Sequence, residues 1–269
     1  MSGHRRERLD IVFELDGGDT EEIQIGANRL GRTVRANGIG DIQALRMIVG
    51  TMQQLGMAME FADQGKRISV ESYLKQVEKQ GKWSRAVEAG GLSIRFGRVP
   101  ALKHGFISIE EMNAGSAVSW VDWVKPFLAE GGFVQAWVSD VEYDHWQNAK
   151  DPLQYEAAGR SYAHLPTKSN GLPPPLEQIE IDTSNNPGRW SLQSGYIEAI
   201  GSIMWLGAPF WKHVGENCKV ALLSASWLDV QPVGNAVTQV VASEHCFCDG
   251  TTEDIQRKLR SVLYGKSFS

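Results

Sequence analysis

Apolar and polar residues alternate along the first part of the chain with the period of two that is typical of β-strands. Residues 9–15 and 20–25 follow this pattern, and the Asp-Gly-Gly-Asp segment at 16–19 is typical of a tight turn. The sequence therefore predicts an N-terminal β-hairpin. Over residues 42–61 the apolar positions instead recur every three to four residues, which predicts a helix. Its apolar stripe consists of Leu45, Ile48, Val49, Met52 and Leu55.

The same two periods predict the remaining elements. Further strands are predicted at residues 92–99, 105–110, 133–141, 189–203, 219–228 and 237–243, and further helices at 69–80, 117–128 and 252–264. Residues 148–175 contain several prolines and predict a long loop. A loop of this length in a compact domain is usually functional or covers another part of the molecule.

Strands and helices are mixed along the chain without the strict alternation that a parallel sheet requires, which favours an α+β fold. The length of 269 residues exceeds that of a typical single domain. We therefore predict two domains, each a mostly antiparallel sheet with packed helices. The predicted domains are an N-terminal one at residues 1–98 and a C-terminal one at residues 99–269.

The composition indicates a folded chain in a reducing compartment. Hydrophobic residues at 42% and charged residues at 22% are close to the averages of globular proteins. The three cysteines Cys218, Cys246 and Cys248 cannot all pair within one chain, and their scarcity suits reducing conditions. No secretory signal and no membrane-spanning run stands out in the sequence. These features predict a cytoplasmic location and no membrane partner.

The formal charge of −5 is unevenly distributed along the chain. Residues 131–250 carry 13 acidic and 6 basic side chains, whereas the rest of the chain carries 19 acidic and 21 basic ones. Nucleic-acid-binding proteins carry basic surfaces, so we predict no nucleic-acid partner. The acidic segment instead fits a basic partner such as the substrate groove of a nuclease. Mild acidity also occurs in many proteins for solubility alone, which leaves that alternative open.

Two acidic rows are candidate partner-binding sites. Asp140, Glu142 and Asp144 occur at alternate positions, so a strand would place their carboxylates on one face. The second row consists of Glu177, Glu180 and Asp182. We predict that both rows contact arginines and lysines of a basic partner.

The first row also leaves open a metal-dependent hydrolase as the alternative function. In that case Asp140, Glu142, Asp144 and His145 would hold a divalent ion or act as acid and base. Residues 244–249 contain further potential ligands but lack the spacing of a closed zinc site. The sequence contains neither a Gly-x-Ser-x-Gly elbow nor a phosphate-loop lysine. We therefore predict no catalytic residues, no metal and no cofactor.

Residues 195–211 form a run rich in glycine and aromatic residues. The run predicts a turn that packs Trp205, Phe210 and Trp211 into one apolar cluster. Within it, Tyr-Ile-Glu-Ala-Ile-Gly-Ser at 196–202 and Met-Trp-Leu-Gly-x-x-Phe-Trp at 204–211 resemble the C-terminal half of immunity protein family fifty-two of bacterial polymorphic-toxin loci. The resemblance extends from residue 106 to the C-terminus.

This resemblance implies a non-catalytic cytoplasmic protein. Its implied function is to bind and neutralise a cognate type VI secretion nuclease toxin by stoichiometric docking. The implied partner carries a restriction-endonuclease-like domain, and no cofactor is needed. The resemblance assigns no contact residue, so the six carboxylates above remain predictions from the sequence pattern.

Overall fold

The computed structural model describes residues 5–15, 20–26, 29–34, 39–234 and 236–265. The strands are β1 (Glu7–Glu14), β2 (Thr20–Gly26), β3 (Arg29–Val34), β4 (Glu60–Asp63), β5 (Lys66–Ser69), β6 (Val87–Ala89), β7 (Leu92–Val99), β8 (His104–Glu111), β9 (Phe133–Asp140), β10 (Thr167–Ser169), β11 (Ile179–Ile181), β12 (Ser191–Leu192), β13 (Ile197–Glu198), β14 (Ile203–Leu206), β15 (Asp229–Val233) and β16 (Val237–Val241). The helices are α1 (Asp41–Gln54), α2 (Val70–Gln80), α3 (Trp120–Val124), α4 (Val141–Asn148), α5 (Pro152–Ala157), α6 (Ala208–Val214), α7 (Glu216–Leu223) and α8 (Glu253–Tyr264). Single 3₁₀ turns lie at Pro100–Leu102, Lys125–Phe127 and Gly250–Thr252.

Ten strands form one antiparallel sheet in the order β15-β16-β14-β9-β1-β8-β7-β6-β4-β5. Strand β1 lies inside this sheet, where Ile11 is opposite Ile107 of β8 on one side and Ala136 of β9 on the other. Because both faces of the sheet are covered here, consecutive residues Ile11 and Val12 are both fully buried. The predicted α+β class is confirmed.

The predicted N-terminal hairpin is wrong in its pairing. Strand β1 pairs with β8 and β9, whereas β2 pairs with β3 in a separate two-stranded sheet. The predicted turn at 16–19 lies outside the described residues. The alternation of residues 9–15 identifies a strand, but a local pattern does not identify a pairing partner that is distant in the sequence.

The large sheet also joins the two segments that we predicted as separate domains. Strand β1 belongs to residues 1–98, and its two neighbours belong to residues 99–269. The predicted boundary falls within β7. Both segments therefore contribute to one sheet, and their division into two folding units stays a prediction.

Helices cover the sheet on both faces and bury two apolar layers. On one face α1, α2 and α3 pack over the sheet, and the predicted stripe of α1 is confirmed by the burial of Leu45, Ile48 and Met52. Helices α6, α7 and α8 cover the other face, where Phe210 and Leu259 are fully buried. The core thus lies in two layers around β1 and β9.

Residues 204–211, where we predicted a turn, belong instead to a strand and a helix. Strand β14 is followed by Gly207 and then by α6. Trp205 belongs to the layer of α1, whereas Phe210 and Trp211 belong to the opposite layer, so the predicted single cluster is wrong. Strand alternation is the physical reason, because it places Met204 and Leu206 of β14 on the face that α6 covers and Trp205 on the opposite face. A side chain at Gly207 would collide with the backbone of Phe133, which explains the glycine.

Two other predicted strands differ from the structure. Residues 219–228 contain the end of α7 and a turn, and the run Val-Ala-Leu-Leu was too short to distinguish a helix from a strand by its period. Residues 189–203 contain the short strands β12 and β13 and the start of β14. The predicted strand at 237–243 and helix at 252–264 are confirmed as β16 and α8.

None of the described helices combines the length and apolar character that crossing a bilayer requires.

A buried ion pair fastens α8 to the segment before β14. Arg260 Nη1 lies 3.3 Å from Glu198 Oε1, and the two side chains are 0% and 4% exposed. The same guanidinium donates to the carbonyl oxygens of Pro187 and Arg189. The pair therefore joins the last helix to residues 187–198, which connect the long loop to the sheet.

We expect Glu198→Ala to lower the free energy of unfolding by about 3–5 kcal/mol, because it leaves a buried guanidinium without its counter-charge. Glu253→Ala is the matched control on α8. The Glu253–Arg257 pair, at 3.6 Å, is exposed, so its loss is expected to cost about 0.5 kcal/mol or less. Urea denaturation measures both changes, and equal losses would contradict the role assigned to the buried pair.

Candidate partner-binding site

The structure separates the six predicted partner-binding residues into two groups. The first group lies at the end of β9 and in α4 and consists of Asp140, Glu142 and Asp144. The second group lies in and beside the β10–β11 hairpin and consists of Glu177, Glu180 and Asp182. The two groups differ in burial and in their hydrogen-bond partners, so each is described separately.

The first group occupies a helix and not the strand we predicted. Asp140 is the N-cap of α4, and its Oδ1 accepts a hydrogen bond from the Tyr143 amide at 2.7 Å. Asp140 is 1% exposed and Asp144 is 8% exposed, whereas the Glu142 side chain is 64% exposed. The predicted alignment on one strand face is therefore wrong. Helical geometry turns Glu142 outward and the other two carboxylates inward.

Arginines of β1 and the residues before it hold the two buried carboxylates. Arg8 Nη2 donates to Asp144 at 2.7 Å, and its Nε donates to Asp10 at 2.7 Å. Arg5 lies 3.9 Å from Asp140. Burial alone would lower the pKa of Arg8, but the charges of Asp10 and Asp144 outweigh it and raise that pKa. Asp140 and Asp144 are thus engaged by cations of their own chain.

A cleft of about 950 Å³ opens beside this ionic network. Its lining includes Arg5, Arg6, His145, Trp146 and Trp190 together with the network carboxylates. Charges of both signs and two tryptophans therefore surround the opening, which suits a mixed polar and aromatic contact.

The four side chains of the alternative hydrolase site all line this cleft, but each contacts a partner of its own. Glu142 lies 2.5 Å from Arg160, and His145 packs edge-on against Trp146 at 4.8 Å between ring centres. Asp140 and Asp144 are held by the separate donors described above. Within the described part of the chain, no three His, Cys, Asp or Glu side chains are arranged to hold a metal ion. The three cysteines are free thiols.

The second group lies on a hairpin loop whose shape is fixed by one side chain. Asn170 Oδ1 accepts hydrogen bonds from the amides of Leu172 at 3.1 Å and Gln178 at 3.2 Å. Asn170 Nδ2 donates to the Leu176 carbonyl at 3.0 Å. These bonds bridge the two sides of the loop. The loop is therefore ordered before any partner binds, which lowers the entropy cost of binding.

The hairpin loop displays apolar side chains beside carboxylates. The apolar residues are Leu172, Leu176 and Ile179, which are 50%, 62% and 58% exposed. Glu177 is exposed and Glu180 is half-buried. Lys168 is already bound to Asp182 at 2.8 Å. Large apolar side chains grouped at a surface are typical of protein interaction sites.

No protein-family model matches this chain. No curated protein matches it either. A solved structure described as Pseudomonas aeruginosa T6SS protein PA0821 is similar, with a TM-score of 0.49, 9% sequence identity, and coverage of 98% of this chain and 74% of that chain. A likeness of this extent does not define a function.

We expect the three alanine variants of the first group to differ in stability. Asp144→Ala should cost about 2 kcal/mol because it removes one of the two carboxylates that bind the Arg8 guanidinium, and Asp140→Ala should cost about 1 kcal/mol through the lost helix cap. Glu142→Ala is the exposed control and should change stability by about 0.5 kcal/mol or less. Urea denaturation measures the series. A cost for Glu142→Ala equal to that for Asp144→Ala would contradict this assignment.

The hydrogen bond from Lys168 lowers the pKa of Asp182 to about 2. An aspartate in an unfolded chain has a pKa of about 3.9, so this ion pair stabilises the hairpin above that pH and the contribution disappears as the pH falls through the folded pKa. We expect Lys168→Gln to raise the Asp182 pKa toward the unfolded value. Carbon-detected NMR titration of the carboxyl group measures the shift, and an unchanged midpoint would refute the assignment to Lys168.

Proposed function

We propose that this chain is an immunity protein that binds and neutralises a cognate type VI secretion nuclease toxin by stoichiometric docking. The observation that carries the proposal is the preordered hairpin loop, which displays three large apolar side chains beside Glu177 and Glu180. The resemblance of residues 196–211 to immunity family fifty-two supports the same function. This part of the chain also resembles TsiT, the immunity partner of the nuclease effector TseT.

The chemistry of the hairpin loop suits such a partner. A nuclease binds phosphates, so its substrate groove carries arginines and lysines. Carboxylates of the hairpin would steer association with that groove. The apolar side chains would be shielded from water on binding and would contribute contact area. This function needs no catalytic residue and no cofactor. Asp140, Asp144 and His145 each contact a different neighbour, namely Arg5, Arg8 and Trp146. These separate contacts support partner binding over metal-dependent hydrolysis.

We expect calorimetric titration with an inactivated TseT-like toxin domain, both proteins treated with chelator, to give one-to-one binding. Glu177→Lys with Glu180→Lys should weaken the Kd by about tenfold or more and reduce its salt dependence, because like charges would then meet. The matched control is Glu71→Lys with Glu78→Lys, which changes the net charge equally at exposed positions of helix α2. This control should leave the Kd close to that of the parent chain.

Absence of binding by the parent chain at micromolar concentration would overturn the proposed function. Equal weakening by the hairpin and α2 variants would show that net charge alone governs binding, and the hairpin loop would then lose its assigned role.

A further inference from the structure

A turn immediately before α3 holds an apolar side chain out in solvent. Val118 is 84% exposed and its φ is +62°. The Ser119 amide donates to the Ala117 carbonyl at 2.6 Å, which is the hydrogen bond of a γ-turn. A positive φ is unfavourable for a β-branched residue, so the surrounding structure must hold this turn in place.

Buried groups fix the turn on two sides. Glu111 Oε1 accepts from the Ala117 amide at 2.9 Å, and Trp123 Nε1 donates to the Ala117 carbonyl at 3.0 Å. Glu111 Oε2 accepts from the Glu7 amide at 3.0 Å, which ties the turn to β1. Because Glu111 and Trp123 are both buried, the Val118 side chain is presented in one fixed position.

An acidic cavity of about 400 Å³ lies beside Val118. Its ionisable lining includes Glu7, Glu111, Asp140, Glu244 and His245, with Arg5 as the arginine. The two amides bound to Glu111 satisfy its oxygens without cancelling its charge. Cys246 also lines the cavity, and burial followed by the charge of Glu7 raises the pKa of its thiol. Arg5 offsets the charge of Asp140, and the other carboxylates leave the lining with a net negative charge, which favours a cation.

The acidic cavity and the cleft beside α4 belong to one connected surface, because Arg5 and Asp140 line both. The β10–β11 hairpin packs on the far side of that cleft. There the Ile181 amide donates to the Lys150 carbonyl at 2.8 Å, and Ile181 is buried against Tyr155 of α5. Ala149, next to Lys150, lines the cleft, so the base of the hairpin, the cleft and the acidic cavity beside Val118 are neighbours.

We propose that the Val118 turn is a second contact for the same partner, in which the acidic cavity receives an arginine or lysine and Val118 enters an apolar recess beside it. The inference rests on the proposed function. Charge complementarity identifies the occupant as a basic protein surface, since carboxylates outnumber the arginine in the cavity lining. A fixed apolar side chain contributes contact area with little further loss of entropy.

Val118→Asn tests this contact, because asparagine tolerates a positive φ while it removes the apolar side chain. Titration into the inactivated toxin domain should show a Kd weaker by about tenfold, with a Tm equal to or above that of the parent. Val220→Asn is the matched control, since Val220 is 61% exposed on α7 and lies outside this surface. Its Kd should equal that of the parent chain.

Parent-like binding by Val118→Asn would overturn the second contact and leave the proposed function intact. Absence of binding by the parent chain itself would overturn both. If Val118→Asn does not fold, Glu244→Lys replaces it, because Glu244 is an exposed carboxylate of the cavity lining. A weaker Kd for that variant supports the contact, and an unchanged Kd overturns it.

Discussion

The structure depends on the position of β1 inside the ten-stranded sheet. This strand pairs on both sides and is buried on both faces, so it holds together segments that are distant in the sequence. Its N-terminal end also carries Arg5 and Arg8 to the end of β9, where Asp140 and Asp144 lie. Strand pairing therefore determines that these two carboxylates meet cations of their own chain.

This internal pairing determines which carboxylates remain available to bind a partner protein. A buried carboxylate that is bound to a guanidinium gives up that interaction before it can bind another cation, which makes it a poor docking group. Glu177 lies instead in the hairpin loop that Asn170 holds, and Glu180 lies in the adjoining strand β11. Accessible negative charge and the ordered backbone thus coincide at the hairpin, which is where binding is least costly.

The sequence predicted the elements whose signals are local. The 3.6-residue period identified α1 and α8, and alternation identified the strand character of β1 and β16. It did not identify the partners of β1, because pairing depends on residues far along the chain. The Arg8–Asp144 pair could not be predicted for the same reason. The exposure of the apolar residues of the hairpin loop could not be predicted either, because apolar residues in a loop without a regular period can be buried or exposed. Leu172 lies inside the predicted proline-rich loop at residues 148–175, and Leu176 and Ile179 follow that loop directly.

One feature of the hairpin loop and one of the Val118 turn are unfavourable for stability. Together they are the strongest physical argument for the proposed partner. Large apolar side chains on the hairpin loop remain in water, and a β-branched residue at 118 adopts a positive φ. Stability alone would favour polar residues on the loop and glycine or asparagine at 118. Both features occur where hydrogen bonds from buried or ordered side chains fix the backbone. Such costs at rigid positions support the proposed docking function, since exposed apolar area gains free energy only when another surface covers it.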